Sequence, residues 1–351
     1  MNPLFFLVPG PIDRPTGGSR YDHRVVEGLR DSGLEVVVAE LAGDFPGGDA
    51  ISVNATRDAL QGIGDSATVI VDGLVLAALP EVFAAEAARL CLIAIVHHPI
   101  ADETGLDPLQ QADYLNREQQ ALNQVQGVIA TSAFTANRLA ELGLYQGAVS
   151  IITPGCEKKP LAIGSQGDDP QILCLGSLIP RKGQHNLIHA LVSIRHLLWR
   201  CQCVGSRALD PTYAGQLQAM IEHEGLAERV TLTGALEAKA LDTAFDESDL
   251  FVLPSHYEGY GMVITEAIAR GLPVITTTAG ALPTTLPHGA GLAVEPNDTE
   301  ALARAIEQVL TDPILRERLQ TRAREAREEL TDWAQTVSRF RTTLEAIQSH
   351  A

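Results

Sequence analysis

The chain has 351 residues and is short of positive charge, of paired cysteines and of long apolar runs. Each shortage excludes a class of protein. Only 26 Lys and Arg stand against 44 Asp and Glu, a net charge of −18. Binding to a phosphate backbone needs a basic footprint, so nucleic acid is excluded as the main partner. The deficit is uneven. Up to Pro170 there are 10 basic and 22 acidic residues, a balance of −12, and beyond it 16 and 22, a balance of −6. The first half is therefore poorly suited to anionic lipid. The five cysteines (Cys91, Cys156, Cys174, Cys201, Cys203) form no CxxC pair and are odd in number. They read as buried thiols of a reducing compartment, with Cys201 and Cys203 on one face of a strand, and the expected location is the cytoplasm. The most apolar region, 67–96, is interrupted by Asp72, Pro80, Glu81, Glu86 and Arg89. No transmembrane segment is expected from so broken a run. Residues 4–8 are too short for the core of a signal peptide and have no basic residues before them, so they read as a first strand. That strand is followed by Pro9-Gly10-Pro11 rather than G-x-G-x-x-G, which argues against a dinucleotide-binding oxidoreductase.

What is present is an alternation of short apolar runs with helical stretches, the pattern of parallel α/β sheets. Strands are expected at 4–8, 35–40, 68–71, 92–96, 127–130 and 149–152, with helices such as 21–32 and 113–124 between them. A turn-rich, charged stretch then separates the first series from a second, at 172–175, 202–204, 230–232, 250–253 and 274–276. The expected organisation is an N-terminal Rossmann-like domain over 1–160, a linker over 161–170, a second such domain over 171–330 and a C-terminal helix over 331–351 that crosses back to the first domain. The alternating Arg and Glu of 316–329 read as a solvated helix face. Two doubly wound halves facing a central cleft place ligands outside the carboxyl ends of their strands, so informative residues are sought just after strands.

Four such segments stand out. The first, Pro254-Ser255-His256-Tyr257-Glu258-Gly259-Tyr260-Gly261, follows a fully apolar strand and leads into a helix near Met262. Glu258 lies in the loop and Glu266 about 6 Å along the helix, at about 1.5 Å per residue. Between them is a helix start, whose N–H groups and dipole suit phosphate. Carboxylates repel phosphate but accept from sugar hydroxyls. The arrangement suits a molecule with hydroxyls at both ends and phosphate in the middle, a sugar nucleotide. The second segment, Gly176-Ser177-Leu178-Ile179-Pro180-Arg181-Lys182-Gly183, is a glycine turn leading to adjacent cations, fit for a diphosphate. The third is the glycine pair Gly17 and Gly18 between the first strand and first helix, where a loop backbone approaches a ligand or takes positive φ. The fourth is His97-His98, ending the strand at 92–96. Arg138 and Glu118 rank no higher than surface residues.

The run PSHYEGYGMVITEAIARGLPVI, with Glu258 and Glu266 separated by seven residues, resembles the retaining glycosyltransferases of the GT-B fold, family 4 (glycosyl transferases group 1). The resemblance spans most of the chain and is strongest over 172–296. It implies two Rossmann-like domains and transfer of a sugar from a UDP-, GDP- or ADP-sugar with retention of anomeric configuration. By the same resemblance Glu258 and His97 would meet the donor sugar, and Glu266 the ribose. The backbone of Tyr260, Gly261 and Met262, together with Lys182, would meet the diphosphate. Gly17 and Gly18 would face the reacting phosphate, and Gly234 the base. His98 stays open beside His97 as the histidine turned to the donor. Ser177 occupies the position where the family carries an arginine, and Arg181 is the residue that would replace it. No two aspartates are separated by one residue, so the DxD metal clamp of other sugar transferases is missing. A metal-independent enzyme with no cofactor beyond its donor substrate is expected. The acceptor, whether a small molecule, a glycan or lipid-linked, has no readable code, nor has the oligomeric state. The alternative within the fold is a nucleotide-sugar epimerase or a phosphorylase.

Overall fold

The computed structural model describes residues 3–167 and 169–349. Two compact units divide them: one runs to Gly155 and resumes at Thr331, the other is Cys156–Leu330.

The first unit holds six strands: β1 (Leu4–Pro9), β2 (Val36–Leu41), β3 (Thr68–Asp72), β4 (Cys91–Val96), β5 (Gly127–Ala130) and β6 (Val149–Ile151). They lie in the order β2-β1-β3-β4-β5-β6, with every pair parallel. β3 and β5 are buried at every position and β4 at all but Cys91, because helices cover both faces of the sheet. The chain winds from β1 outward to β2 and then back past β1 to β3. That makes the carboxyl ends of β1 and β3 the switch point of the sheet.

The helix Trp333–Gln348 packs within this unit. Asp332 and Gln335 form its capping box, and Phe340 and Leu344 point into the core. Its seat is cut from glycine. A Cβ on Gly28 would lie 2.2 Å from Val337, and one on Gly127 would lie 2.4 Å from Ile347. Thr336 Oγ1 donates to the Thr153 carbonyl (3.0 Å), and Gln348 to Thr68 Oγ1 (2.8 Å).

The second unit holds β7 (Gln171–Leu175), β8 (Arg200–Val204), β9 (Val230–Gly234), β10 (Leu250–Leu253), β11 (Val274–Thr277) and β12 (Gly291–Val294). The order is β12-β11-β10-β7-β8-β9, again all parallel, with the switch point between β7 and β10. Cys201 and Cys203 of β8 are buried in one core cluster with Cys174 of β7. Strand β12 lacks a counterpart in the expected series. It is a half-exposed edge strand without a continuous apolar run, and its Gly291 packs flush on the Val274 carbonyl.

The segment expected as a linker, 161–170, is tied to the second unit, which begins earlier, at Cys156. Ala162 N–H donates to the Arg270 carbonyl, and Ile163 and Gly164 both donate to Asp246 (2.9 Å each). Backbone polar groups that find partners on the unit keep this stretch from being a free connection. Among the described residues no helix is long and apolar enough to cross a membrane.

Candidate active site

In the second unit, the loops leaving β7 and β10 meet at the switch point. His256 N–H donates to the Arg181 carbonyl (2.8 Å), and Gly183, at φ +67°, is so close to Pro254 that a Cβ would sit 2.2 Å from its carbonyl oxygen. Only glycine fits both demands. This pinning brings together side chains 76 residues apart in sequence. Lys182 Nζ donates to Glu258 Oε1 at 2.5 Å, Ser255 Oγ donates to the same oxygen at 2.7 Å, and Arg181 Nη1 lies 3.6 Å from Oε2. Arg181 also donates to the Tyr257 carbonyl at 2.9 Å. Glu258 is only 6% exposed. Burial pushes its carboxyl up, but the charges of Lys182 and Arg181 and the two hydrogen bonds outweigh burial and hold it below its ordinary value. Two cations around one carboxylate leave a net positive charge.

The helix Met262–Ala269 begins beside this cluster. Gly261 stands before it at φ +91° with no side-chain cap, and Tyr260, Met262 and Val263 are half-buried, so its first turn is open. Thr285 Oγ1 fixes the loop by donating to the Tyr260 carbonyl (2.5 Å). Glu266 lies further along the same helix, 8% exposed. Gly234 ends β9 at φ +78°, two strands from β7. The arrangement joins cations, an uncapped helix start and a buried carboxylate, groups whose chemistry can hold an anion and accept from hydroxyls.

In the first unit, the carboxyl ends of β3 and β4 and the helix Gly17–Asp31 converge on His97. Its Nε2 lies 3.3 Å from Asp22 Oδ1 and 3.5 Å from Asp72 Oδ2. Asp72 also caps the next helix by accepting from Leu74 N–H at 2.7 Å. The His97 carbonyl accepts from the hydroxyls of Thr131 (3.2 Å) and Thr135 (3.1 Å), and Tyr21 meets the ring edge-on at 5.6 Å. Burial pulls the imidazole down, but Asp22 and Asp72 overcome it and carry its pKa up to about 10. Burial raises Asp22 to about 7 against the pull of His97. Asp72 goes the other way. Burial opposes it, but His97 and the Leu74 amide hold it low. Each of the three offers one ligand atom within 4.8 Å of the others. His97, set between the two carboxylates, forms a buried ion triad with them.

Several expectations change against this geometry. Gly17 and Gly18 lie not in a loop but in the first helical turn, because Thr16 caps the helix by accepting from Ser19 N–H at 3.2 Å. Neither takes positive φ. Gly18 is needed for space, since its Cβ would stand 3.1 Å from the His97 ring, whereas Gly17 has open room. His97 and His98 part company, with His98 Nε2 lying 3.3 Å from Glu103 Oε2. Glu118 is no surface residue. It is 4% exposed and accepts from Ile100 N–H (2.9 Å) and Ala101 N–H (3.4 Å). Arg138 grips Asp102 with two hydrogen bonds, at 2.8 and 2.9 Å, so both residues hold the turn after His97-His98. Asp22, Asp72 and Ser255 are site residues that no sequence motif marks. A signal existed for the first two. Asp22 interrupts the buried stripe Tyr21, Val25, Val26, Leu29, and Asp72 ends a strand that is otherwise apolar but for Thr68.

Comparison with known proteins identifies the fold. The chain aligns with sucrose-phosphate synthase from Thermosynechococcus elongatus over 100% of both chains, with a TM-score of 0.85 at 20% identity. It aligns with Anabaena HepE in complex with UDP-glucose over 98% of this chain and 99% of that one, with a TM-score of 0.79 at 19% identity. The fold is GT-B. Residues 157–326 match the family Glycosyl transferases group 1. A curated relative, the GDP-mannose-dependent alpha-(1-6)-phosphatidylinositol monomannoside mannosyltransferase of Mycolicibacterium smegmatis, is 30% identical over 54% of this chain. The chain spans about half the length of the curated relatives it matches, 54% and 40% for the first two.

Proposed function

We propose that this chain transfers a sugar from a nucleoside-diphosphate donor to an acceptor hydroxyl, with retention and without a metal ion. The observation that carries the reading is the Lys182–Glu258–Arg181 cluster at the β7/β10 switch point, beside an uncapped helix start. Lys182, Arg181 and the backbone at Tyr260, Gly261 and Met262 take the diphosphate. Arg181 supplies the cation that Ser177 does not. Glu258 and His97 accept or donate to donor-sugar hydroxyls, Glu266 holds the ribose, and the Gly234 turn meets the base. Gly18 keeps room for the His97 ring. The relatives' names favour a uridine or guanosine diphosphate over an adenosine one.

In the reaction the bond between the anomeric carbon and the β-phosphate oxygen breaks, and its electron pair leaves with the nucleoside diphosphate. The acceptor oxygen bonds to the same face of the anomeric carbon, and its proton passes to the departing phosphate. Negative charge grows on the diphosphate, so fixed cations and helix N–H groups aimed there lower the barrier. Thermal-shift screening of uridine, guanosine and adenosine diphosphates and their sugars tests the binding half. Anomeric analysis of the product, with and without EDTA, tests the rest. Failure of every nucleotide to stabilise the protein would sink the proposal, and loss of turnover in EDTA would remove its metal-free part.

A further inference from the structure

The buried ion triad contains one residue with no assigned role. Asp22 lies in the apolar stripe of the Gly17–Asp31 helix, 1% exposed, with both carboxylate oxygens buried and lacking a hydrogen-bond donor. A carboxylate so placed costs several kcal/mol unless a charge compensates it. The cation within reach is His97, at 3.3 Å. Asp72 differs, because its Oδ1 is engaged with Leu74 and only Oδ2 is turned to the ring. The ring is boxed as well. Gly18 lies against Cδ2 and Nε2, the Tyr21 ring closes one edge, and the carbonyl is held by Thr131 and Thr135. Asp22, Asp72 and Tyr21 are the titratable groups that face it. The helix bearing Asp22 is braced by the Trp333–Gln348 helix, which Gly28 admits at close range, and by Tyr21 donating to the Ile152 carbonyl at 2.9 Å.

We propose that Asp22 is a positioning residue, which with Asp72 clamps the His97 ring in one orientation and one charge state. Nε2 is the ring nitrogen turned to both carboxylates, at 3.3 and 3.5 Å. The inference rests on the glycosyl-transfer reading, in which a His97 kept as imidazolium donates to the donor rather than accepting from it. Two carboxylates and one imidazolium carry a net −1. Burial raises Asp22 to about 7, well below His97, so Asp22 is the member of the cluster that gains a proton first in acid while the ring stays cationic.

The test is a histidine-labelled NMR titration of the full chain, with the His97 signal assigned by its loss in His97→Gln. The native His97 signal should stay that of an imidazolium through pH 8. In Asp22→Asn its midpoint should fall by about two pH units, from about 10 to about 8. Turnover of Asp22→Asn should fall several-fold further at pH 8.5 than at pH 6, with KM for the donor little changed. A purely structural role would lower turnover equally at all pH. Native His97 titrating near 6.5 would overturn the clamp, as would stoichiometric Mn²⁺ or Zn²⁺ binding that Asp22→Asn abolishes. The native titration stands even if the variant does not fold. If no nucleotide sugar is turned over yet His97 titrates as stated, the glycosyl-transfer reading fails and the clamp survives.

Discussion

Glu258→Gln separates the two halves of the donor. The glutamine keeps the volume of the side chain and can still accept from Ser255, but it removes the charge that Lys182 meets at 2.5 Å and Arg181 at 3.6 Å. If Glu258 accepts from donor hydroxyls, a nucleotide sugar loses one charge-assisted hydrogen bond of about 1.5–3 kcal/mol. That is a fall in affinity of roughly 10- to 150-fold. The free nucleoside diphosphate has no sugar to lose. It gains instead, because Lys182 and Arg181 no longer share their charge with a carboxylate, and its affinity should hold or rise a few-fold. Calorimetry with one nucleoside diphosphate and its sugar reads the ratio directly. If that ratio is the same in native and variant protein, Glu258 does not touch the sugar. The variant also costs stability. Breaking a buried pair costs about 3–5 kcal/mol, and the lower end applies because Lys182 and Arg181 are each 16% exposed and Arg181 keeps the Tyr257 carbonyl. The folded carboxyl is held below its unfolded value of 4.5, so its contribution is complete above that pH and is lost as pH falls through the folded value. The gap in stability between native protein and Glu258→Gln should therefore shrink in acid below about pH 4.5.

Lys182→Ala should weaken nucleoside-diphosphate binding by tens-fold, from the loss of about 1.5–3 kcal/mol, and unchanged calorimetric affinity would remove Lys182 from the phosphate site. Gly280→Ala should lower Tm by several degrees, because Gly280 stands at φ +59° and a Cβ would meet the Glu258 carbonyl at 2.3 Å. Wild-type Tm after this change would show that the loop around Glu258 yields freely. His97 holds its proton up to about pH 10 in the fold and to about 6.5 when unfolded, so its contribution is whole below 6.5 and lost on the way to 10. Native protein should accordingly lose its advantage over His97→Gln as melts are run from pH 6.5 to pH 10, and a constant advantage would contradict the raised value.

The elements that could be read from sequence are those whose burial is local. β3, β5, β10 and β11 are covered on both faces, so each appears as an apolar run, and their alternation with helices specifies parallel sheets. β12 escaped because an edge strand with half-exposed positions leaves no run to find. The Gly17-Gly18 pair misleads for a different reason. Glycine carries two meanings, free backbone and absent side chain. At Gly18 the second one applies, and the ring that demands it comes from His97, 79 residues away. The same distance hides the charges. Glu118 on a helix looks like any solvated carboxylate until the turn at Ile100 and Ala101 presents N–H groups that lack other acceptors.

Buried charges therefore mark where the sequence pattern and the fold part. Lys182 and Glu258 meet because the winding order puts β7 beside β10, and His97 meets Asp72 because β4 lies beside β3, with Asp72 opposite Ile95. In both units the meeting point is the carboxyl end of the sheet at or next to its switch point. There the crossover helices lead away to opposite faces and leave strand ends uncovered. A charge is tolerated at such a place only with a counter-charge, and each cluster supplies one from a neighbouring strand's loop. The motif residues were visible singly. Their function as a group is a consequence of strand order, and strand order is what the alternation of elements alone does not specify.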